Sequence, residues 1–293
     1  MTMDLLLLRK RAAGGFALDF TGDVLPAGAS FARASQASYF DASGVLQIAA
    51  NGTARFDHDP ITLASRGILI EPAATNLVLY SQNFSNAGWI AASKGANVTS
   101  PDGTGDGMGV TIGSGTSSSA FIRQNVAGWT AGTTGTMSAW VRQSASGAAA
   151  DTRLTTNNQS AWNTGISGRF ALSSSWARLS LSGDLVATSG ISLSLLIGAL
   201  DATGANDATC QGKIDIFGVQ AETGAVATSY IPATSASASR AADALSFTIP
   251  AGIGHLIYTF DDGSTEEVAV GAGSYTVPTN LNRAWIKMIT GAV

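Results

Sequence analysis

Short runs in which every second residue is apolar constrain this chain more than any other feature. In TMSAWVRQ, residues 136–143, the side chains of Met137, Ala139 and Val141 fall on one side, and in KIDIFGVQ, residues 213–220, Ile214 and Ile216 do the same. GISLSLLIGAL, residues 190–200, repeats the pattern with Ile191, Leu193 and Leu195, and WARLSLSG, residues 176–183, carries Trp176, Leu179 and Leu181. A period of two places alternate side chains on opposite faces of a strand, so each run has one face to bury. Gly, Ser, Asn or Asp bounds each run, and these are the residues that close turns. About eight such runs between residues 83 and 238 match a β-sandwich, because each alternating face needs a second sheet to cover it.

Composition removes the main alternatives. With 34 glycines and only 12% charged residues, the chain is poor material for surface helices. A hydrophobic fraction of 45% and a mean hydropathy of +0.20 exclude a disordered chain, which needs low hydrophobicity and high charge. The 293 residues suffice for a buried core. A net charge of −4 and a pI near 5.1 offer no general attraction for nucleic acid. Cys210 is the only cysteine, so neither an internal disulfide nor a cysteine-based zinc site can form. In the opening MTMDLLLLRKRAAGG the basic run follows the leucines instead of preceding them, which is not a signal-peptide order. No window approaches the roughly 18 apolar residues of a membrane span. The expectation is a soluble chain, not exported by the general route, with no nucleic-acid partner and no membrane insertion.

Texture along the chain suggests an all-β fold in three parts: residues 1–82, with short apolar clusters and turns; 83–238, the sandwich; and 239–293, a small β domain. PATSASASRAAD, residues 232–243, reads as a linker or an extended crossing segment. Beyond it, ALSFTIP alternates Leu245, Phe247 and Ile249, HLIYTFDDGSTEEVAV forms two strands about the turn pair Asp262 and Gly263, and NRAWIKMI adds another strand. The last part is small for independent stability and is expected to lean on the rest of the chain or on a neighbouring copy.

Catalytic patterns are scarce. No Gly-Lys-Ser/Thr phosphate loop and no Gly-x-Ser-x-Gly elbow occurs, and His58 and His255 are the only histidines. Asp102, Thr104 and Asp106 are spaced like the first ligands of a calcium loop, but the closing position is Gly113, which excludes an EF-hand. A looser structural calcium site or a plain turn remain the two readings, and no other cofactor is expected. TTNNQSAWNTG, residues 155–165, offers Asn157, Asn158, Gln159, Trp162 and Asn163 to a sugar, with Trp129 as a second platform. The alternative is that Trp162 and Trp129 pack on the sandwich, as Trp140 and Trp176 are expected to do.

The most polar stretch is ARFDHDPITLASRGILIEPAATNL, residues 54–77, which holds Arg55, Asp57, His58, Asp59, Glu71 and Asn76. Arg55 can pair with Asp57 or Asp59, Asp59 before Pro60 suits the start of a turn, and Glu71 and Asn76 can satisfy backbone groups of an irregular segment. A structural role is expected. Metal binding by Asp57, His58 and Asp59 is the alternative, although neighbouring residues on an extended chain point to opposite sides.

The pieces FARAS, YFDASGVL, ARFDHDP, GILIEPAATNL and SQNFSNAGW follow one another within residues 31–89. In this order they resemble a family of bacteriophage and prophage virion proteins, the head spike or tail fibre proteins found also in gene-transfer-agent-like particles. IDIFGVQAETGAVATSYIPATSASASRAAD, residues 214–243, is similar to the end of that family's jelly-roll, and LNRAWIKMI, residues 281–289, is also similar. One departure is Ala74, where the family more often carries Arg. The resemblance implies a virion-attachment region at 1–82, a central jelly-roll like that of carbohydrate-binding modules at 83–238, and a small C-terminal β domain at 239–293. It further implies a homotrimer, partners among capsid, portal or tail proteins, bacterial surface polysaccharide as ligand, and a virion assembled in the host cytoplasm. A non-enzymatic adsorption protein is the leading expectation. A decoration or adaptor protein joining capsid or tail parts without binding glycan is the alternative, and a capsule depolymerase is third, because no acid pair stands out.

Overall fold

The computed structural model describes residues 15–91, 93–129, 132–157, 166–185 and 193–293. The strands before residue 74 are β1 (Ala17–Asp19), β2 (Ser30–Ala32), β3 (Ala37–Phe40), β4 (Leu46–Ala49), β5 (Phe56–His58) and β6 (Ser65–Leu69). Next come β7 (Ala74–Asn76), β8 (Lys94–Val98), β9 (Gly107–Ile112), β10 (Phe121–Val126), β11 (Thr134–Gln143), β12 (Asp151–Asn157), β13 (Ser167–Ala171), β14 (Ala177–Asp184), β15 (Leu193–Gly198) and β16 (Gly212–Thr223). The chain finishes with β17 (Ala238–Arg240), β18 (Ala244–Ile249), β19 (His255–Phe260), β20 (Thr265–Ala269), β21 (Gly273–Thr276) and β22 (Trp285–Ala292). Among the described residues the fold is all-β, as the alternating runs require.

The chain divides into two compact units, one formed by residues 1–73 together with 240–293 and the other by residues 74–239. In the first unit one sheet has the order β20-β19-β22-β6-β5 with β1 also on β22, and a second has the order β2-β18-β21. The last part, set off at 239–293 and expected to lean on the rest of the chain or on a neighbouring copy, joins the strands before residue 74 in one unit: Ile286 pairs with Ile68, Ile289 with Leu18 and Leu245 with Phe31. The reason is burial. Leu18, Phe20, Ile68 and Ile70 meet Leu245, Phe247, Leu256, Phe260, Ile286 and Ile289 in a single core, and neither segment has enough strands to cover its own apolar face. The hairpin about Asp262 and Gly263 forms as the turn pair suggests, with Gly263 at φ +84°.

One buried ionic cluster holds this unit together. Arg55 is fully buried and places Nη2 2.6 Å from Asp243 Oδ2 and 2.9 Å from Glu71 Oε2. Arg33 reaches Asp243 at 3.1 Å, and Arg240 lies 3.5 Å from Glu71. Three guanidinium groups face two carboxylates, and backbone carbonyls take up the surplus donors: Ser35 and Ala50 accept from Arg33, Ser38 from Arg55, and Pro72 from Arg240. Burial pulls the Arg55 pKa down, but Glu71 and Asp243 outweigh it and leave the value raised. The segment 232–243, read as a linker or an extended crossing segment, thus delivers two of the five charges.

The second unit is the expected two-sheet sandwich. One sheet has the order β10-β15-β12-β13 and the other β14-β11-β16-β9-β8. Ile122, Leu154, Leu195 and Ile197 from the first sheet pack against Met137, Ala139, Val141, Leu179, Ile214, Ile216 and Val110 from the second. The β11–β16 register shifts between Ser138 and Trp140, opposite Gly218. That glycine has φ +56°, and a Cβ there would come within 2.8 Å of the Trp140 ring, so both conformation and space call for glycine. On the outward side of this sheet Trp140, Phe217 and Tyr230 form a buried aromatic group with centroids 5.4–5.8 Å apart. Trp176 differs from the core position expected of it: it is half-buried and stacks on Arg142, whose Cζ lies 4.5 Å from the ring centroid.

Two outcomes are expected from this packing. Asp243→Ala should destabilise the first unit by about 3–5 kcal/mol, because Arg33 would be left buried without a counter-charge and Arg55 and Arg240 would have to share Glu71. The measurement is urea unfolding followed on Trp285, the one tryptophan among residues 1–73 and 240–293; an unchanged midpoint would show that the cluster contributes little. Burial pushes the Cys210 thiol up to about 11, so native protein should leave a thiol-reactive dye almost unreacted at pH 8 and denatured protein should titrate one thiol.

Candidate functional site

The polar stretch of residues 54–77 does not assemble into one site. Arg55 pairs with Glu71 and Asp243 instead of the expected Asp57 or Asp59, because its carboxylate partner arrives from 188 positions along the chain. Asp57 accepts from the Phe40 N–H at 2.6 Å and from Trp285 Nε1 at 2.7 Å, and desolvation leaves its carboxyl pKa raised despite these bonds. Asp59 caps the turn that Pro60 opens, accepting from the Ile61 and Thr62 amides and from Arg66 Nη2 at 2.7 Å. His58 Nε2 lies 3.4 Å from Asp23. Asn76 belongs to the second unit, where Nδ2 donates to Val219 and Ile231 carbonyls and Oδ1 accepts from the Val78 and Ala221 amides. Every one of these groups serves local structure, and among the described residues no cluster of three or more metal-ligating side chains occurs.

The proposed calcium residues also separate. Asp102 Oδ1 accepts from Ser100 Oγ, Thr104 N and Thr104 Oγ1, the bonding of an Asx turn. Asp106 turns away and accepts from Gln82 Nε2 at 3.1 Å. Of the sugar candidates, Trp129 is buried in the sandwich core with Nε1 donating to the Glu222 carbonyl, so it is no exposed platform. Its neighbours in the core, not its place in the sequence, decide this. Asn157 ends β12 on the outward side of the four-stranded sheet, while Asn158, Trp162 and Asn163 lie outside the described residues.

The structure instead assembles a cleft of about 510 Å³ in the second unit, lined by Tyr80, Gln82, Asn83 and Phe84 from one stretch of chain, Asn97, Asp106 and Met108 from a second, and residues 232–235 from a third. Tyr80 adopts a left-handed backbone, φ +51°, that costs a non-glycine residue about 1 kcal/mol or more and persists only when its surroundings impose it. Here they do. The Tyr80 N–H donates to the Thr234 carbonyl at 2.6 Å, and its own carbonyl accepts from Trp89 Nε1 at 2.9 Å and from the Asn83 amide at 3.0 Å. Asn97 reaches the cleft from β8, held opposite Met108 of β9, where a bulge interrupts the register after Lys94. Gln82 ties the wall together by accepting from the Tyr230 hydroxyl and donating to Asp106.

Chemically the cleft combines an aromatic and apolar lining with three amides and one carboxylate. Asn83 and Asn97 are exposed. An amide offers both a donor and an acceptor, which matches the paired donor and acceptor character of a sugar hydroxyl. The size lies within the range of small-ligand sites, and the few convergent polar groups over an apolar floor are their usual chemistry. The sequence held a signal for these residues in the amide-rich SQNFSN after Tyr80, and Asp106 was visible only as a metal ligand.

No family model matches the sequence, and no curated protein matches it. Among solved structures, the chain is similar to a CBM4 carbohydrate-binding module at 15% identity, over 49% of this chain and 84% of that one, with a TM-score of 0.32. It is also similar to the N-terminal CBM22-1-CBM22-2 tandem domain of Paenibacillus barcinonensis Xyn10C at 12% identity, over 77% of this chain and 92% of that one, with a TM-score of 0.36. Superpositions this loose decide nothing about the ligand, which is read from the cleft.

The polar stretch yields a pH prediction. Thr62 and Ile61 amides together with Arg66 hold Asp59 at about 2, below its ordinary 3.8, against the opposing effect of partial burial. A depressed carboxylate stabilises the fold above its unfolded pKa and loses that contribution as pH falls through the folded value. Between pH 4 and pH 2 the wild type should therefore lose more thermal stability than Asp59→Asn, and parallel melting curves for the two proteins would refute the assignment.

Proposed function

We propose that this protein is a non-enzymatic glycan-binding component of a bacteriophage or prophage particle, a head spike or tail fibre that adsorbs to bacterial surface polysaccharide. The observation that carries the glycan reading is the cleft, in which Tyr80 is pinned in an unfavourable backbone conformation beside the exposed amides of Asn83 and Asn97. Strain of this kind is kept where a site needs it. The virion role rests on the ordered motifs from FARAS to SQNFSNAGW, whose resemblance to the spike and fibre family also implies trimeric assembly and attachment to capsid, portal or tail. The non-enzymatic reading is supported by the acids: Asp106 is the one carboxylate among the residues lining the cleft, whereas glycoside hydrolysis ordinarily employs two across the scissile bond. Weak contacts in each sandwich become useful when many copies sit on one particle, because linked sites bind at high effective concentration.

Retention of purified protein on an array of bacterial surface polysaccharides tests the reading. At least one polysaccharide should be retained, and Asn97→Ala and Tyr80→Ala should each weaken binding to it by roughly tenfold, the equivalent of about 1.4 kcal/mol. If both variants bind as the wild type does, the cleft is not the site. Immunogold labelling of intact particles should place the protein on outward-projecting spikes; label confined between other virion proteins would favour the joining role instead.

A further inference from the structure

The outward side of the four-stranded sheet in the second unit carries a polar group that the cleft does not include. Cross-strand register places Asn125, Ser194 and Asn157 side by side across β10, β15 and β12, and Arg123, Leu196 and Thr155 in the next row. Phe121 follows in the third row, with the Arg123 Cζ 5.9 Å from its ring centroid. Leu196 and Phe121 are buried and form an apolar floor. Arg123 stands half-buried over it.

The other charges of this side are engaged. Asp151 pairs with Arg169 at 2.7 Å, and Asp207 pairs with Arg153 at 3.1 Å and lies 3.6 Å from Arg169. Asp201 caps its own turn through the Thr203 and Ala205 amides. Arg123 is different. Among the described residues no carboxylate pairs with it and its side chain makes one hydrogen bond, Nη1 to Ser194 Oγ at 3.3 Å; its Nε, like that of Arg153, has no hydrogen-bond partner. Burial also lowers its pKa, the mark of a cation that has lost water without gaining a counter-charge.

The hydrogen-bond directions then follow from elementary chemistry. A guanidinium can only donate, so Ser194 Oγ accepts from Arg123, and the serine proton goes to Asn125 Oδ1 at 2.7 Å. This fixes the exposed Asn125 amide with its oxygen engaged and its Nδ2 left over. The polarity that Arg123 and Asn125 leave unused is therefore donor only, around one uncompensated positive charge. A neutral sugar hydroxyl needs donors and acceptors together, whereas a carboxylate takes donors alone and prefers a guanidinium fork.

We propose that Arg123 and Asn125 form a second binding site, which takes the carboxylate of an acidic sugar such as a uronate, its ring resting toward Phe121. The proposal builds on the glycan reading of this unit and adds the substrate class: the polysaccharide recognised is acidic.

The test follows arginine Nε–H resonances of the isotope-labelled full chain during titration with sodium glucuronate, glucose and sodium sulfate. Glucuronate should move the Arg123 resonance to saturation and added salt should weaken the effect, while glucose should leave it in place and sulfate should act only at concentrations at least tenfold higher. Arg123→Gln should weaken glucuronate binding at least tenfold, read on amide shifts along β10, and Arg123→Lys should lose less; native amide dispersion in each variant confirms that it folds. No shift with glucuronate, an equal shift with glucose, or undiminished binding by Arg123→Gln would overturn the site, and sulfate acting as strongly as glucuronate would reduce it to an anion patch without sugar recognition. The double variant Tyr80→Ala/Asn97→Ala should leave the glucuronate effect intact. If that variant abolishes binding and Arg123→Gln does not, the acid is read in the cleft, so this proposal fails while the glycan reading stands.

Discussion

The contact between Arg55 and Asp243 is the constraint on which the first unit depends. A guanidinium and a carboxylate removed from water are costly unless every donor and acceptor finds a partner. That cost is offset by bringing together four stretches of chain, around residues 33–38, 50–55, 71–72 and 240–243, where backbone carbonyls add acceptors for Arg33, Arg55 and Arg240. Glu71 and Asp243 are additionally tied by a reciprocal pair: the Glu71 N–H donates to the Asp243 carboxylate, and the Asp243 N–H donates to the Glu71 carbonyl. These two residues flank the points at which the chain leaves the first unit and returns to it. Such an arrangement closes only after the intervening 166 residues of Ala74–Ser239 have been made, so the folding of this unit involves long-range closure, which is slow compared with local contacts.

The two units differ in what they leave unsatisfied. In the first, the buried charges and the acids of the 54–77 stretch are engaged with one another, with amides or with Trp285. In the second, a pinned Tyr80, exposed amides and a half-buried Arg123 remain beside apolar lining. Polar groups whose bonding is incomplete inside otherwise saturated structure mark the places where a ligand completes it. The functional reading follows that contrast, and the ionic knot that looked most like a site is the framework.

Much of the sandwich was legible from alternation. TMSAWVRQ and KIDIFGVQ bury the expected faces, and the Asp262 and Gly263 pair makes the expected turn, because strand faces and tight turns depend on residues a few positions apart. Trp176 was misjudged, and Trp129 stood open between platform and packing, for the opposite reason: whether a tryptophan is covered depends on which distant strand lies over it. The segment 232–243 looked empty because its two charged residues meet their partners only after the chain has travelled from Glu71 to Arg240. Tyr80 and Asn97 escaped notice as a pair since nothing in their separate neighbourhoods points to the other.

By itself the sequence determined the all-β class, the alternating faces, the turn positions and the absence of cysteine chemistry beyond Cys210, since each of these follows from local periodicity or from counting. Only the tertiary structure decided that the two ends of the chain share one core, that Arg55 answers to Asp243, and that Tyr80, Asn97 and Asp106 face one cleft. The physical reason is range. Strand pleat and turn chemistry act over a few residues of chain, whereas ion pairs, core closure and ligand sites are made by residues that chain connectivity keeps apart and burial brings together.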